Sequence, residues 1–264
     1  EMFDLLERHA RDPQDGGYWE VRRRDWSEAA DSRLSDKDMD EKKSMNNHLH
    51  VLEGFTNLYR AGKDPRVAER LRDVMGLFLQ RILDPRTGHL NHFFDEHWQV
   101  RSDTYTFGHD IEASWLLCEA AEALGDGVLL QQARQTALRM AEVALKEGLD
   151  SDGGLCYEGK AGKVIDRRKE CWPQAEAVIG FLNACQLSGD AKYFEAAYRV
   201  WNYIQDHLVD RVHGEWFWRI NEDGRSDPDL PKVSEWKGPY HGSRACLETL
   251  HRLGCIRSLP FPKL

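Results

Sequence analysis

Three side chains with acid–base chemistry stand together in the stretch "TFGHDIEASWLL" (residues 106–117), which is otherwise mostly apolar or small. They are His109, Asp110 and Glu112. An imidazole can transfer protons near neutral pH, and a carboxylate can bind hydroxyl groups or accept a proton. A single polar turn of this kind is commonly a helix cap, so its meaning depends on whether other helices begin in the same way.

Three further predicted helices also begin with polar or aromatic side chains. Two imidazoles on opposite sides of a cavity could exchange protons with one carbon atom, and a third could hydrogen-bond a developing oxyanion. Tryptophan faces suit the C–H faces of a sugar ring, whereas Asn, Asp and Glu bind its hydroxyls. The residues are Asn46, His48 and His50 in "SMNNHLHVLEG", Trp172 and Glu176 in "CWPQAEA", and Trp236 and His241 in "EWKGPYHGSR".

Each of these residues also has a structural interpretation. His48 and His50 face different sides of a helix, and we favour His50 as the functional one because Gly54, four residues on, leaves room beside it. Asp110 is interpreted as a first-turn partner of the helix dipole. Glu176 is the hardest to explain structurally, because a single carboxylate in an apolar helix needs a partner or a function. Four tryptophans are interpreted as core residues, namely Trp115, Trp201, Trp216 and Trp218.

The elements that must position these side chains form a repeat. Four loops share an aspartate, then a glycine, then an apolar or aromatic segment, and their glycines lie 71, 66 and 60 residues apart. Two helices are predicted between successive loops from the apolar spacing and the glycine turns. The glycines are Gly17, Gly88, Gly154 and Gly214, and the predicted helices are 44–61 and 65–83, 109–125 and 127–148, 172–188 and 190–209, then 242–254, with a helix end at 2–10.

The two helices of each pair differ in polarity, which predicts an inner and an outer layer. "WPQAEAVIGFLNACQL" is almost wholly apolar and must be buried on most sides, whereas "DAKYFEAAYRVWNYIQDHL" is amphipathic. We therefore expect an all-α, (α/α)6-type toroid with short β-hairpins at the loop end, in which the N-termini of the inner helices meet at one rim. At a period of about 66 residues a closed toroid needs roughly 400 residues. Residues 1–264 would then form a single domain with about four of the six helix pairs, the barrel being incomplete or open.

Composition narrows the functional classes. The net charge is −9, and the basic clusters are short and flanked by acids. This pattern disfavours nucleic-acid binding, which relies on an extended positive surface. The sequence contains neither an apolar run of about 20 residues nor a signal-peptide pattern. Six cysteines without a C-x-x-C pair are typical of reduced thiols. We expect a cytoplasmic monomer whose partner is a small molecule.

Common cofactor and nucleophile motifs are missing from the sequence. It contains no H-E-x-x-H, no G-x-x-x-x-G-K and no G-x-S-x-G. The histidines are spread over separate repeats, so a metal site is the less favoured explanation of the cluster, and we expect neither a metal nor another cofactor.

Five stretches together resemble cellobiose 2-epimerases of the N-acylglucosamine 2-epimerase superfamily. They are "KKSMNNHLHVLEGFTNLYR", "GHDIEASWLL", "WPQAEAVIGFLNA", "GEWFW" and "WKGPYHGSRACLE", and the resemblance extends from near residue 1 to about 250. It implies an (α/α)6 barrel, of which this chain would be the C-terminal two-thirds. It also implies cofactor-independent epimerisation at C2 of the reducing-end glucose of cellobiose or lactose, through a cis-enediolate.

The resemblance also implies roles for individual residues. His109 and His241 would be the acid–base pair that opens the ring and moves the C2 proton, and His50 would stabilise the cis-enediolate. The chain departs from the family pattern at Cys171, where a second tryptophan is usual, and at Gly238 and Gly242, which replace a cysteine and an asparagine. The residues expected to contact sugar are Asn46, Glu112, Trp172, Glu176, Trp236 and Asp38.

Other functions stay open at this point. The chain could be an inactive or carbohydrate-binding fragment of such a barrel, or a mannose isomerase or N-acylglucosamine 2-epimerase of the same superfamily. A glycoside hydrolase would need two carboxylates flanking the scissile bond, and Glu112 with Glu176 could serve. That reading leaves the histidines unexplained.

Overall fold

Helices follow one another in pairs joined by tight turns, as the sequence predicts. The computed structural model describes residues 1–36 and 38–256. The predicted ends of the paired helices agree with the structure to within two residues once the π-helical turns described below are included. The helices are α1 (Met2–His9), α2 (Met45–Gly62), α3 (Pro65–Leu77), α4 (Phe107–Leu124), α5 (Gly127–Val143), α6 (Cys171–Ser188), α7 (Ala191–Tyr203) and α8 (Tyr240–Ile256).

Short-range sequence signals set these helix ends. The Ser44 side chain accepts a hydrogen bond from the Asn47 amide at the start of α2. Asp64 and Asp190 cap α3 and α7 in the same way. α6 ends at Gly189, whose φ of 70° is left-handed and costs glycine little. The turns therefore follow from local capping chemistry.

The three outer helices α3, α5 and α7 each end in a helical turn that is wider than an α-helical one. Five-residue π-helical turns, Phe78–Ile82, Ala144–Gly148 and Ile204–Leu208, follow α3, α5 and α7. In each, the amide of the next residue donates to a carbonyl five residues back, as Leu83 does to Phe78. An Asp–Gly loop follows at once, and antiparallel bridges such as Leu83 with Leu90 and Leu149 with Leu155 close it. The loop pattern seen in the sequence is thus a structural repeat.

A lysine–aspartate ion pair recurs at three of the four Asp–Gly loops, the first of which follows α1. Lys43 Nζ lies 2.6 Å from Asp12 Oδ2, and neither side chain is more than 3% exposed. Lys169 Nζ lies 3.0 Å from Asp150 Oδ2. Lys232 pairs with Asp210. Each lysine follows its aspartate in the chain, so the pair ties the Asp–Gly loop to the segment leading to the next inner helix.

The strands are short and confined to hairpins and helix approaches. β1 pairs antiparallel with β2, β4 with β5, and β6 with β7. β1 and β6 run directly into α2 and α6, and β3 runs into α4. The predicted short hairpins are therefore present. The strands are β1 (Lys43–Ser44), β2 (Phe93–Phe94), β3 (Tyr105–Thr106), β4 (Glu158–Lys160), β5 (Lys163–Asp166), β6 (Lys169–Glu170) and β7 (Arg219–Ile220).

The described chain divides into two compact units. Unit 1 comprises residues 1–36, 38–105 and 116–130, and its core includes Leu52, Leu71 and Phe78, all fully buried. Unit 2 comprises residues 106–115 and 131–256. In unit 2, α6 is buried at every position from Pro173 to Cys185, which confirms the predicted inner helix.

The outer helix of unit 2 is buried on one side only. α7 buries Tyr193, Ala196, Ala197, Val200 and Tyr203, which recur at helical spacing, and it leaves its other side in solvent. Within the described residues, none of the helices combines the length and the apolar character that a membrane crossing requires.

Close helix packing in unit 2 gives a first prediction. A Cβ at Gly180 of α6 would lie 2.7 Å from the backbone oxygen of Ile111 in α4, which cannot move aside like a side-chain tip. We expect Gly180→Ala to lower the free energy of unfolding by about 1–3 kcal/mol through overpacking. Gly254→Ala is the control, because a Cβ there meets nothing within 4 Å. Chemical denaturation measures both, and equal midpoints would contradict the close approach.

The buried ion pair in unit 1 gives a second prediction. Lys43→Met leaves the Asp12 carboxylate buried without its cation, and we expect a loss of about 3–5 kcal/mol in the free energy of unfolding. The neighbouring Lys42→Met breaks an exposed pair with Glu28, so it should cost about 1 kcal/mol or less. Urea denaturation of the two variants tests this, and similar losses would show that burial of the pair is not decisive.

Candidate active site

His241, on the first turn of α8, is held by a carboxylate from α6. Its Nδ1 lies 2.7 Å from Glu176 Oε1. A carboxylate can only accept, so Nδ1–H is the donor and neutral His241 keeps a lone pair on Nε2. The side chain is 24% exposed. In this tautomer, the lone pair on Nε2 could accept a proton.

His109, near the start of α4, is held by a hydroxyl group. Its Nδ1 lies 2.6 Å from Thr106 Oγ1, at the end of β3. A hydroxyl can donate or accept, so this partner is compatible with a proton on either ring nitrogen. His109 and His241 both lie in the first turns of their helices, α4 and α8.

The Trp172 indole contacts both imidazoles. Its ring centroid is 4.6 Å from that of His109 and 5.5 Å from that of His241. Gly108 makes room for this ring, since a Cβ there would lie 2.6 Å from Trp172 Cη2. Unit 2 therefore brings together the two histidines that the resemblance makes the acid–base pair.

Arg244 joins this cluster although the sequence analysis did not single it out. One terminal nitrogen, Nη2, donates to Glu112 Oε1 and, at 2.8 Å, to Glu176 Oε1. The second oxygen of Glu176 accepts from Trp115 Nε1 at 3.1 Å. The available signal was the position of Arg244 three residues after His241, which places both on one face of α8.

Two buried acids lie beside one cation in this cluster, and this arrangement determines the pKa of Glu112. Glu112 is 2% exposed and Glu176 is wholly buried. Burial, and then the charge of Glu176, raises the pKa of Glu112 to about 7, while His241 and Arg244 act in the opposite direction. The cluster therefore binds or releases a proton close to neutral pH.

The same side chains have a spacing that a metal ion could use. One ligand atom from each of Glu112, Glu176 and His241 lies within 4.8 Å of the others. Arg244 already donates to both carboxylates, so a guanidinium supplies the positive charge there. The donor set thus fits an internal ion pair at least as well as a metal site.

The predicted sugar contacts of unit 2 differ in their surroundings. Within the cluster, Glu112 and Glu176 face protein donors, so the geometry favours a supporting role for them over direct sugar contact. Trp236 has an exposed side chain, 59% of its surface being accessible, and lies in the loop before α8. Trp115 is buried, which agrees with its interpretation as a core residue.

Three predicted site residues lie in unit 1. His50 has a half-exposed side chain whose Nδ1 is 3.8 Å from Glu53 Oε2. Asp38 Oδ2 accepts from the Ser35 amide at 2.8 Å and from its hydroxyl at 3.1 Å, which closes a turn. Asn46 is half-buried on the first turn of α2.

His48 is structural, as the sequence analysis favoured. Its Nδ1 lies 2.7 Å from the Ser44 carbonyl oxygen, and its Nε2 accepts from the Tyr18 amide at 2.9 Å. The ring is wholly buried, and burial lowers the pKa of His48 to about 4. With both nitrogens occupied, the ring ties the first Asp–Gly loop to α2.

Glu20 is a further acid of unit 1 that the sequence analysis did not identify. Its Oε2 is buried and has no hydrogen-bond partner among the described residues. Burial raises the pKa of Glu20 to about 7; Ser44 opposes that rise, Asp38 adds to it, and His50 opposes it more weakly. Glu20 thus interacts electrostatically with two of the predicted site residues.

The amino-acid sequence is similar to those of known enzymes. The family model described as N-acylglucosamine 2-epimerase matches residues 1–243. A cellobiose 2-epimerase of Bacteroides fragilis is 45% identical over 250 residues, which are 94% of this chain and 64% of the relative. The chain therefore spans just under two-thirds of the length of this curated relative.

Solved structures show the same fold. A sugar epimerase from a ruminal bacterium aligns with a TM-score of 0.90 at 33% identity, over 98% of this chain and 65% of that one. The cellobiose 2-epimerase of Spirochaeta thermophila aligns with a TM-score of 0.86 at 40% identity, over 97% and 64%. These likenesses confirm the predicted all-α, (α/α)6 fold class.

The buried ring of His48 gives a third prediction. The unfolded chain binds a proton on this imidazole near pH 6.5, whereas the folded chain does so only near pH 4. The free energy of unfolding should therefore fall by about 3 kcal/mol as pH decreases through this range. His48→Gln should remove that part of the slope, and the exposed His251→Gln should not. Urea denaturation between pH 7.5 and pH 4 measures it, and unchanged slopes in His48→Gln would contradict the assignment.

Proposed function

The chain belongs to the N-acylglucosamine 2-epimerase family, and we propose that it carries the acid–base site of a sugar 2-epimerase. The proposed substrate is the reducing-end glucose or mannose unit of a β-1,4-linked disaccharide such as cellobiose or lactose. The observation that carries the proposal is the contact of one indole, Trp172, with the imidazoles of both His109 and His241. The proposal concerns the natural protein that contains this chain.

The reaction needs two proton-transfer groups and no net oxidation. After the sugar ring opens, one imidazole removes the proton from C2, and the electron pair of that C–H bond moves toward the C1 carbonyl oxygen. The result is a cis-enediolate. A proton delivered to C2 from the opposite face restores the aldehyde and inverts C2, so the atoms balance without a cofactor.

The partners of the two imidazoles fit this chemistry. His241 donates through Nδ1 to Glu176, which leaves Nε2 as a base and stabilises the imidazolium after it takes a proton. His109 has the Thr106 hydroxyl, which can follow a change of protonation by exchanging the donor and acceptor roles. The Trp172 indole offers an apolar face for the carbon skeleton between them.

The other predicted residues have proposed roles in the same reaction. His50 would stabilise the oxygens of the enediolate, and Asn46, Asp38 and Trp236 would bind sugar hydroxyls or ring faces. Glu112 and Glu176, which face protein donors, would set the charge and orientation of His241.

A glycoside hydrolase is disfavoured by the positions of the same two carboxylates. Retaining enzymes hold their carboxyl groups about 5–5.5 Å apart and inverting enzymes about 6.5–9.5 Å apart, on either side of the bond. Ligand atoms of Glu112 and Glu176 lie within 4.8 Å, and both side chains are almost wholly buried. A glycosidic oxygen has no access between them.

A two-base reaction gives a fourth prediction. In D₂O with cellobiose or its mannose-terminated epimer, wild-type protein should place deuterium at C2 of both sugars. His241→Asn and His109→Asn should each lower epimerisation about 10²–10⁴-fold. Because one base remains, each variant should still exchange the C2 hydrogen of only one epimer. NMR of the recovered sugars measures deuterium at C2.

The exposed His251→Asn on α8 is the matched control and should keep the wild-type rate. Absence of C2 exchange with any of the sugars in the wild-type protein would refute the epimerase proposal. Near-wild-type epimerisation by either site variant would remove that histidine from the assignment.

A further inference from the structure

We propose that Arg244 is the positioning residue of the site, because it holds Glu112 and Glu176 as a carboxylate pair and thereby keeps His241 in the tautomer with a free Nε2. Where it concerns turnover, this inference rests on the proposed epimerase function. Its structural part concerns only the hydrogen bonds of His241 and does not depend on which substrate the protein takes.

The contacts of Glu176 favour its ionised form. Oε1 accepts from His241 Nδ1 at 2.7 Å and from Arg244 Nη2 at 2.8 Å. Oε2 accepts from Trp115 Nε1 at 3.1 Å. Arg244 Nη2 and Trp115 Nε1 always carry hydrogens, and a guanidinium bonds an ionised carboxylate more strongly than a neutral one, so these two contacts favour the ionised form of Glu176. An ionised Glu176 can only accept, which obliges His241 to donate through Nδ1.

The positive charge of Arg244 stabilises the ionised form of Glu176 although this carboxylate is buried. Glu112 and Glu176 are both buried and repel each other, and one guanidinium nitrogen donates to both. Without the guanidinium, the two buried carboxylates would hold a proton over a wider pH range than they do with it. A protonated Glu176 could donate to Nδ1, which would move the imidazole proton to Nε2 and block the base.

The groups that face His241 come from three helices. α6 supplies Glu176, α4 supplies Glu112 and His109 in the same cluster, and α8 supplies Arg244. The Tyr240 ring of α8 lies 4.5 Å from the His241 ring, centroid to centroid. Arg244 is the permanent cation of this set, because an arginine stays protonated at any working pH.

The shape of arginine matters as well as its charge. The guanidinium carbon lies 5.0 Å from the Trp115 ring centroid and 4.4 Å from that of Tyr240, and Nη1 donates to the Tyr240 hydroxyl at 2.6 Å. A planar fork can stack on these rings while it bonds the carboxylates, whereas an ammonium group cannot. Lysine should therefore restore the charge without restoring the full geometry.

α8 offers a matched control two turns further on. Arg252 is also buried, and its guanidinium carbon lies 5.7 Å from the same Trp115 ring. Its Nη1 hydrogen-bonds Asn183 and Gln186 instead of the carboxylate pair. Arg252→Met therefore removes a buried stacked cation from the same helix and leaves the contacts of Glu112 and Glu176 in place.

The kinetic test compares Arg244→Met, Arg244→Lys and Arg252→Met in the natural protein that contains this chain. We expect Arg244→Met to lower kcat for cellobiose epimerisation about 10²-fold with little change in KM. The acid limb of its pH–rate profile should move up by about one unit or more, because loss of the cation favours protonation of the buried carboxylates. Arg244→Lys should return the limb toward its wild-type position with kcat only partly recovered. Arg252→Met should keep the wild-type profile.

The structural test uses ¹⁵N-histidine-labelled protein and NMR of the His241 ring, assigned by comparison with His241→Asn. The wild-type protein and Arg252→Met should show the Nδ1–H tautomer of neutral His241. Arg244→Met should show a larger fraction of the Nε2–H tautomer. If Arg244→Met does not fold, Arg244→Lys provides the comparison, with an intermediate fraction expected.

The outcomes separate this inference from the proposed function. If the wild-type protein does not epimerise any sugar but the tautomer changes as described, the proposed function fails and the positioning role stands. If the protein epimerises cellobiose and Arg244→Met keeps both the wild-type pH profile and the Nδ1–H tautomer, the positioning role is overturned.

Discussion

Buried lysine–aspartate pairs set the loop end of this fold. An unpaired buried charge costs several kcal/mol, so a loop aspartate and the lysine that follows it must be brought together. Lys43 and Asp12 are both buried and meet this condition just before α2, and the buried Lys169 pairs with the partly exposed Asp150 just before α6. Each pair anchors the segment that leads into an inner helix against an Asp–Gly loop, and Ser44 caps the start of α2 itself. The candidate residues of α2 and α6 are therefore positioned by loop electrostatics as well as by core packing.

Within unit 2, the two histidines have hydrogen-bond partners of different chemical kinds. Glu176 orients His241, the Thr106 hydroxyl orients His109, and Trp172 contacts both rings. A carboxylate imposes one direction of hydrogen bonding, whereas a hydroxyl accommodates both. Their surroundings therefore place different hydrogen-bonding constraints on two chemically similar side chains.

The sequence predicted what depends on local chemistry and on periodicity. Helix pairs, caps and Asp–Gly loops follow from nearby residues, and the buried run of α6 follows from its composition. The role of Arg244 could not be predicted in this way, because its two acceptors lie 132 and 68 residues away. For the same reason the sequence does not show the hydrogen-bond donors of Glu176, because His241, Arg244 and Trp115 come from other helices. The unpaired Oε2 of Glu20 is likewise visible only in three dimensions.

The π-helical turns at the ends of the outer helices bear on how such a chain tolerates insertions and deletions. A π turn holds one residue more than an α turn, so deleting a residue from Phe78–Ile82 or Ile204–Leu208 would convert the turn to α geometry. Both kinds of turn complete one circuit of the helix, so the segment that follows would keep nearly the same direction. The loop aspartate after Ile204–Leu208, Asp210, would then still face Lys232. The closing turns are thus places, in addition to the exposed loop tips, where the chain can absorb a change of one residue.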